Sequence, residues 1–227
     1  LDKTIGKAME YANSKNIELI QINEDEWDKS KDIVKSLLRH KLQKSTKYIH
    51  GRKCSINLLS NKEYNSFCHD NHIQGIRNSS IKLGAFYDNE LVAVMGFMKH
   101  KKYDYELTRF CVKKTFHING IAGKLFKKFI KMYNPNTILS FCDRRYSNGN
   151  LYRKLGFILD GKTKPNYKYF KNGLLFSRLG FQKHMLEQKI ERFDPNKTEN
   201  ENMFKNCYKI MYDCGNFRFV WTHPQNK

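Results

Sequence analysis

Acidic residues are the scarce class in this chain. Asp and Glu number 22 against 42 Lys and Arg, which leaves a formal charge of +20. A polyanion partner is the natural inference from that sign. No apolar run is long enough to span a bilayer and no signal-peptide pattern is present, so no membrane partner is expected. The six cysteines show no C-x-x-C spacing, and no metal motif stands elsewhere, so no metal site is expected. Cys111 and Cys142 fall inside apolar strand patterns and read as buried thiols, which fits a reducing, cytoplasmic compartment. No internal repeat is visible. Leu1 is not a start methionine, so the chain reads as processed, trimmed or the tail of a longer protein.

The charge is unevenly spread. Residues 99–192 carry 22 basic against 6 acidic side chains, whereas the first 50 carry 10 against 8. A lysine-rich surface from an AT-rich genome explains the total. Composition bias alone should spread evenly, however, and nucleic acid is the preferred reading.

Residues 1–50 form an N-terminal segment too short to bury its own core. Helical spacing covers Lys3–Ser14 and Asp25–Leu42, and Ile17–Ile22 reads as a short strand. Next come a strand over Lys53–Leu59, a helix over Lys62–Asp70, and a hairpin of Lys82–Tyr87 and Glu90–Lys99 across Asp88-Asn89. Tyr105–Lys113 reads as a strand, Gly120–Tyr133 as a basic helix stopped by Asn134-Pro135, and Thr137–Cys142 as a strand. A helix over Asn148–Leu155 and strands over Phe157–Leu159 and Tyr167–Phe170 follow. Ser177–Phe193 reads as a basic helix and Asp194–Asn202 as a polar loop. Tyr208–Asp213 and Phe217–Trp221 read as a hairpin over Cys214-Gly215-Asn216.

The centre of the chain carries the chemistry. A glycine-containing turn that opens a helix presents backbone N–H groups to an anion. Asp143 stands at the C-terminal end of a strand, where open sheets build sites; it reads as base, substrate anchor or a carboxylate paired with the arginines that follow. His72 lies in the polar loop Asp70–Gly75 and reads as a base, a nucleotide contact or a surface histidine. Arg109 is a charge inside an apolar strand. An ion pair with Glu106 or Asp143 is its first reading, and a phosphate or substrate contact its second. Lys127, Lys128, Lys131, Arg144, Arg145, Arg153 and Lys154 read as a phosphate track or as solvated surface. Lys127, Lys128 and Arg144 are expected to be exposed.

Two signatures lie in register around one strand: His117-Ile118-Asn119-Gly120-Ile121-Ala122, and Leu151-Tyr152-Arg153-Lys154-Leu155-Gly156-Phe157. Over residues 81–170 they resemble the GNAT acyltransferase superfamily, with His117 in place of the usual Gln or Arg and one residue more before the Gly-Phe of the second signature. The resemblance implies an α/β (α+β) fold: a mixed sheet with splayed central strands, an N-terminal helical segment (1–50), a GNAT-like domain (51–175) and a C-terminal helix plus β-hairpin extension (176–227). It implies acetyl-CoA or a related CoA thioester as cofactor. Cys111 and Val112 would line the pantetheine arm, Asn119, Gly120, Ile121, Ala122 and Gly123 would face the pyrophosphate, and Lys124 would add charge. Tyr152 matches the family's acid; a core aromatic is the competing reading.

Asn71-His72, Arg109-Phe110-Cys111-Val112 and Ser140-Phe141-Cys142-Asp143 together resemble the phage Mom DNA-modification proteins. Ile17–Ile22, Glu24-Asp25-Glu26-Trp27 and Asp32-Ile33-Val34-Lys35-Ser36 resemble the last elements of a Vsr-like homing-endonuclease domain. These imply a phage or mobile-element protein in the host cytoplasm that modifies a DNA base amine, with DNA or another nucleic acid as partner and an endonuclease domain upstream. Two rivals stand beside that expectation. One is a non-catalytic DNA-binding module that targets such a nuclease. The other is an acetyl-CoA-dependent N-acetyltransferase on protein or small-molecule amines.

Overall fold

Leu83, Ala85, Ala93 and Met95 are fully buried, and their alternation draws two strands together across Asp88-Asn89. Both turn residues adopt the left-handed region, at φ 47° and 62°, as the tightest hairpin turns require. A computed structural model describes residues 2–45 and 47–224, with side chains from residue 6 on. In chain order, helices α1 (Asp2–Ser14) and α2 (Glu24–Lys41) lead to strand β1 (Lys47–His50) and a 3₁₀ turn (Gly51–Lys53). Strand β2 (Ser55–Leu58), helix α3 (Asn61–Asn71), and strands β3 (Ile81–Tyr87), β4 (Glu90–Lys99), β5 (Tyr105–Val112) and β6 (Phe116–Asn119) follow. After them come α4 (Ile121–Tyr133), β7 (Thr137–Asp143), α5 (Asn150–Lys154), β8 (Ile158–Lys162), β9 (Tyr167–Lys171) and β10 (Leu174–Ser177). A second 3₁₀ turn (Arg178–Phe181), α6 (Lys183–Leu186), α7 (Glu199–Lys205), β11 (Lys209–Tyr212) and β12 (Asn216–Thr222) complete the order.

The chain forms two compact units. The larger takes residues 26–142, 148–162 and those from 217 on; the smaller takes those up to 25, 143–147 and 163–216. A seven-stranded sheet of order β2-β3-β4-β5-β7-β12-β8 organises the larger unit. Ile121, Leu125, Phe126 and Phe129 put one face of α4 into its core, and Phe129 stacks on Phe97 at 3.5 Å between ring centroids. Each such buried side chain contributes roughly 1.5–3 kcal/mol of transfer free energy. The start of α3 is fixed by a reciprocal cap between Ser60 and Glu63.

Strands β5 and β7 run parallel but pair only from Tyr105↔Ile138 to Leu107↔Ser140. Beyond that rung both continue without pairing to each other, so the sheet splits into a V. A bulge at Thr108 sits just past the split: Phe97 pairs Leu107 and Gly96 pairs Arg109, leaving Thr108 over. One extra residue reverses which face the following side chains occupy. A buried relay supports the bulge. Tyr64 bonds Ser79 at 3.1 Å, Ser79 bonds Thr108 at 2.6 Å, and Thr108 donates to the Gly96 carbonyl at 2.9 Å.

The smaller unit has its own three-stranded sheet, β10-β9-β11, around buried Tyr169, Leu186 and Met203. Tyr169 donates to Glu199 at 2.6 Å, and Asn202, fully buried, ties the 194–198 loop through its side-chain amide.

Several expected elements differ. Residues 17–22 form no strand; Ile17 is exposed, and the Gln21 amide donates to the Arg145 carbonyl at 2.9 Å. The Ser177–Phe193 helix is a strand end, a 3₁₀ turn and a single helical turn. The hairpin of β9 and β10 over Asn172-Gly173 uses up its start. Part of the Asp194–Asn202 loop is helix α7, capped reciprocally by Thr198 and Glu201. The hairpin over residues 214–216 does not form: β11 pairs β9, whereas β12 pairs β8 in the large sheet. Among the described residues no helix is long and apolar enough to cross a membrane.

Candidate active site

The V between β5 and β7 is the natural place to look, because backbone groups there have lost their strand partners. On the β7 side the Tyr152 hydroxyl donates to the Phe141 carbonyl at 3.1 Å, one residue past the last rung. Ser140 closes that rung with a bond to the Leu107 carbonyl at 2.9 Å. Tyr152 stacks on Phe219 at 5.0 Å and 16°, which fixes its ring. Burial pushes its phenol up to about 12, against a small lowering by Ser140, so it holds its proton throughout the neutral range.

Helix α4, which follows β6, begins at a glycine. Gly120 caps α4 at φ 77° without a side-chain bond, and the first helical bond is Lys124 N–H to the Gly120 carbonyl. The amides of Ile121, Ala122 and Gly123 therefore have no intrahelical acceptor. Nothing lies within 4 Å of where a Cβ would stand at Gly120 or Gly123. Such amides are where an anion could be held, with space at Gly120 and Gly123 and with Gly51 packed against the Ile121 nitrogen. Asn119 is exposed beside these amides, and its Oδ1 accepts from His117 Nε2 at 2.7 Å. Lys124, expected to add charge there, is tied to the chain before β2. Its ammonium donates to the carbonyls of Gly51, Arg52 and Cys54 at 3.2, 3.1 and 2.5 Å. These belong to a strap formed by β1, which pairs parallel to β6, and the 3₁₀ turn after it. A Cβ on Gly51 would stand 2.8 Å from the Ile121 nitrogen, so only glycine lets the strap lie this close.

On the β5 side Arg109 is partly buried and has no carboxylate partner among the described residues. Glu106, one expected partner, pairs instead with Arg77 at 2.7 Å, and Asp143 pairs with Arg145 at 3.1 Å. Arg109 donates from Nε to the Gly75 carbonyl at 3.1 Å, from Nη1 to Thr108 at 3.2 Å and from Nη2 to Gln74 at 3.3 Å. Burial, then the neighbouring Arg77, lowers its pKa. His72 caps the end of α3, and its Nδ1 accepts the Gln74 amide proton at 3.1 Å. Its pKa falls to about 3, first from burial and second from Arg109. The neutral ring must then carry its proton on Nε2. In that tautomer His72 is a donor at Nε2. Cys111 is buried against α3 with Tyr64, Phe67 and Cys68, while Val112 is partly buried on the opposite core.

A depressed histidine pKa has a definite sign. The unfolded ring binds a proton below about 6.5 and the folded ring does not until about 3, so stability is complete above pH 6.5 and is lost as pH falls towards 3. The loss is at most about 1.4 kcal/mol per pH unit, and less where solvent reaches the ring. His72→Asn keeps an acceptor for Gln74 and cannot titrate. Its melting temperature should fall less than that of the wild type between pH 7.5 and 5; identical falls would show that His72 does not contribute.

A family model described as an acetyltransferase (GNAT) domain matches residues 55–177. The chain belongs to the GNAT acetyltransferase family. Among solved structures, a GNAT family acetyltransferase from Elizabethkingia anophelis with acetyl-CoA bound is 13% identical, covering 75% of this chain and 99% of its own, at a TM-score of 0.42. A Bacillus subtilis acetyltransferase in complex with CoA is 15% identical over 75% and 99%, at a TM-score of 0.41. No curated protein matches.

Arg109 lies close enough to act electrostatically on both His72 and Tyr152, and Ser140 hydrogen-bonds Tyr152. Asp143 falls in the smaller unit and binds the Arg145 amide at 2.9 Å as well as its guanidinium. Arg144 and Arg145, expected in a phosphate track and Arg144 expected exposed, are both buried at 7% exposure. Arg144 donates to the Cys214 carbonyl at 2.7 Å, and Arg145 lies over the Tyr146 ring at 4.5 Å. Lys127, Lys128 and Lys131 are exposed on the outer face of α4, and Arg153 and Lys154 are exposed on α5. The Tyr64-Ser79-Thr108 relay escaped sequence reasoning, since hydroxyls far apart in the chain give no local signal. Among the described residues no cluster of three His, Cys, Asp or Glu side chains is placed to hold a metal.

Proposed function

We propose that this GNAT domain transfers an acyl group from acetyl-CoA, or a related CoA thioester, to an amine on a nucleic-acid base, DNA by preference and in the manner of Mom. The observation that carries the acyl-transfer part is the V between β5 and β7, with the Tyr152 hydroxyl on one wall and the open start of α4 beside it. A CoA thioester supplies a carbonyl carbon activated towards an amine. The amide groups at residues 121–123 would hold its pyrophosphate, and β5 would flank its pantetheine arm. As the amine nitrogen bonds to the carbonyl carbon, the carbon–sulfur bond breaks and Tyr152 gives its Oη proton to the departing sulfur. The proton lost by the amine passes to water, and the tyrosinate recovers one from water. A phenol held near 12 remains loaded for this step at any physiological pH.

The choice of nucleic acid rests on the charge surplus of residues 99–192 and on the exposed Lys127, Lys128 and Lys131 face. The gathering of His72, Arg109, Ser140 and Tyr152, all from the Mom-like segments or the Tyr helix, supports the same acceptor. Burial of Arg144 and Arg145 favours the second reading, a protein or small-molecule amine, because it takes two cations out of the track.

Acetyl-CoA at a hundredfold excess over Kd should stabilise the chain by about 2.7 kcal/mol, visible as a raised melting temperature. Gly120→Asp places a carboxylate at the amide cradle; a Cβ has space there, but the left-handed backbone at φ 77° costs a side chain about 1–2 kcal/mol, so the apo chain should melt somewhat lower and the acetyl-CoA shift should disappear. A wild-type chain whose melting is indifferent to saturating acetyl-CoA would refute the cofactor. Mass spectrometry of nucleosides from cells expressing the chain reads the acceptor: an acylated base supports DNA or RNA, and its absence alongside acylated protein or metabolite supports the rival.

A further inference from the structure

We infer that Arg109, with His72 beside it, forms the subsite that holds a phosphate of the nucleotide bearing the reacting amine. The inference rests on the proposed nucleic-acid acceptor and names the group by which that acceptor is positioned. Its basis is an imbalance of charge. Arg109 lies on β5 two residues beyond the last β5–β7 rung, where the V has opened. A guanidinium carries five N–H donors. Three of them reach the neutral carbonyls of Gly75, Thr108 and Gln74. One N–H on each Nη remains, and paired N–H groups on the outer edge of a guanidinium match two oxygens of one phosphate.

Glu106, three residues before Arg109 on β5, is already held by Arg77. Carbonyl dipoles alone are a poor counterpart for a partly buried cation, which is costly unless an anion meets it. The two bonds to Gly75 and Gln74 have a second effect: they fix the 72–75 loop, in which the His72 Nδ1 accepts the Gln74 amide proton. The His72 Nε2–H then adds a neutral donor to the subsite. A charged imidazole would be repelled by Arg109, whereas a neutral one is tolerated. The subsite is therefore one fixed positive charge plus neutral donors, a set that selects a phosphate oxyanion and offers nothing to a cationic acceptor. Arg109 also acts on Tyr152, which ties the subsite to the acid of the proposed reaction.

The test uses the full chain saturated with CoA and titrated with the four 2′-deoxynucleoside 5′-monophosphates, the matching nucleosides, and a short single-stranded oligonucleotide. Binding is followed by calorimetry. For the wild type at least one monophosphate should bind ten times or more tightly than its nucleoside. Arg109→Gln should erase that preference and leave CoA affinity within twofold, and Arg109→Lys should restore only part of it, since the charge returns without the fork. In the wild type labelled with ¹⁵N-arginine, the Arg109 Nε–H resonance should move with the monophosphate and not with the nucleoside; this measurement stands even if Arg109→Gln fails to fold. A phosphate preference that survives in Arg109→Gln, or an unmoved resonance on saturation, overturns this inference alone. A wild type that binds CoA but neither nucleotide, nucleoside nor oligonucleotide overturns the nucleic-acid reading and this inference with it.

Discussion

Tyr152→Phe should lower acyl-transfer turnover by roughly 10²–10⁴-fold, the usual yield of a positioned general acid. The substitution keeps the ring that stacks on Phe219 and removes only the oxygen. One hydrogen bond, to the Phe141 carbonyl, is lost. Its net contribution is about 1 kcal/mol, so the fold should survive with a modest fall in melting temperature. KM for acetyl-CoA should hardly change, because the proton matters only as the carbon–sulfur bond breaks. The pH profile adds an independent check. With its phenol near 12, Tyr152 cannot produce an alkaline decline in rate around pH 10, where a free tyrosine would. A phenylalanine variant with undiminished turnover would leave Tyr152 a packing residue and send the search for the acid elsewhere in the V.

The second large effect is structural and starts from a missing side chain. A Cβ on Gly96 would overlap the Tyr64 hydroxyl and stand 2.5 Å from Ser79 Oγ. Both residues are buried and both belong to the relay under the Thr108 bulge. Gly96→Ala must therefore push the phenol aside, break the Tyr64–Ser79 bond, and leave buried hydroxyls short of partners. Overpacking of about 1–3 kcal/mol adds to roughly 1–3 kcal/mol for an orphaned polar group. A loss of about 3–5 kcal/mol in urea unfolding is expected, a large part of a typical domain's stability. Tyr64→Phe in the same chain should recover some of it, because the oxygen in the way is gone. A Gly96→Ala variant as stable as the wild type would mean that the relay gives way easily and that the bulge does not depend on it.

The parts of the fold legible in the sequence were those set by local periodicity and turn chemistry. The β3–β4 hairpin could be read because Asp88-Asn89 separates two alternating runs, and α4 because its apolar residues recur at helical spacing. The same rule applied to Asn172-Gly173 would have found the β9–β10 hairpin, and Thr198-x-x-Glu201 would have revealed the start of α7. Pairing over long sequence distances left no such mark. Nothing local in Lys47–His50 announces that it pairs with Phe116–Asn119, and nothing in Gly215 says that the strands on either side of it enter different sheets. The site shows the same division. Tyr152, the Gly120 turn and Arg109 stood out by residue type and neighbourhood. Which carboxylate each arginine meets is decided by tertiary placement, so the expected Arg109 ion pairs and the exposed Arg144 could not have been judged from spacing.

Strand β12 lies inside the large sheet, between β7 and β8, yet it is separated from β8 in the chain by the whole of residues 163–215. During synthesis β7 and β8 are therefore made long before the strand that must fill the gap between them. Until that late strand arrives, each leaves a long unpaired edge open to wrong partners. The intervening residues carry their own small sheet and core, which can form while the ribosome is still working. That early folding shortens the loop the last strand must close, and so lowers the entropy of closure. A chain stopped before Asn216 should emerge with a finished small sheet and an open large one, and should depend on chaperones where the complete chain does not.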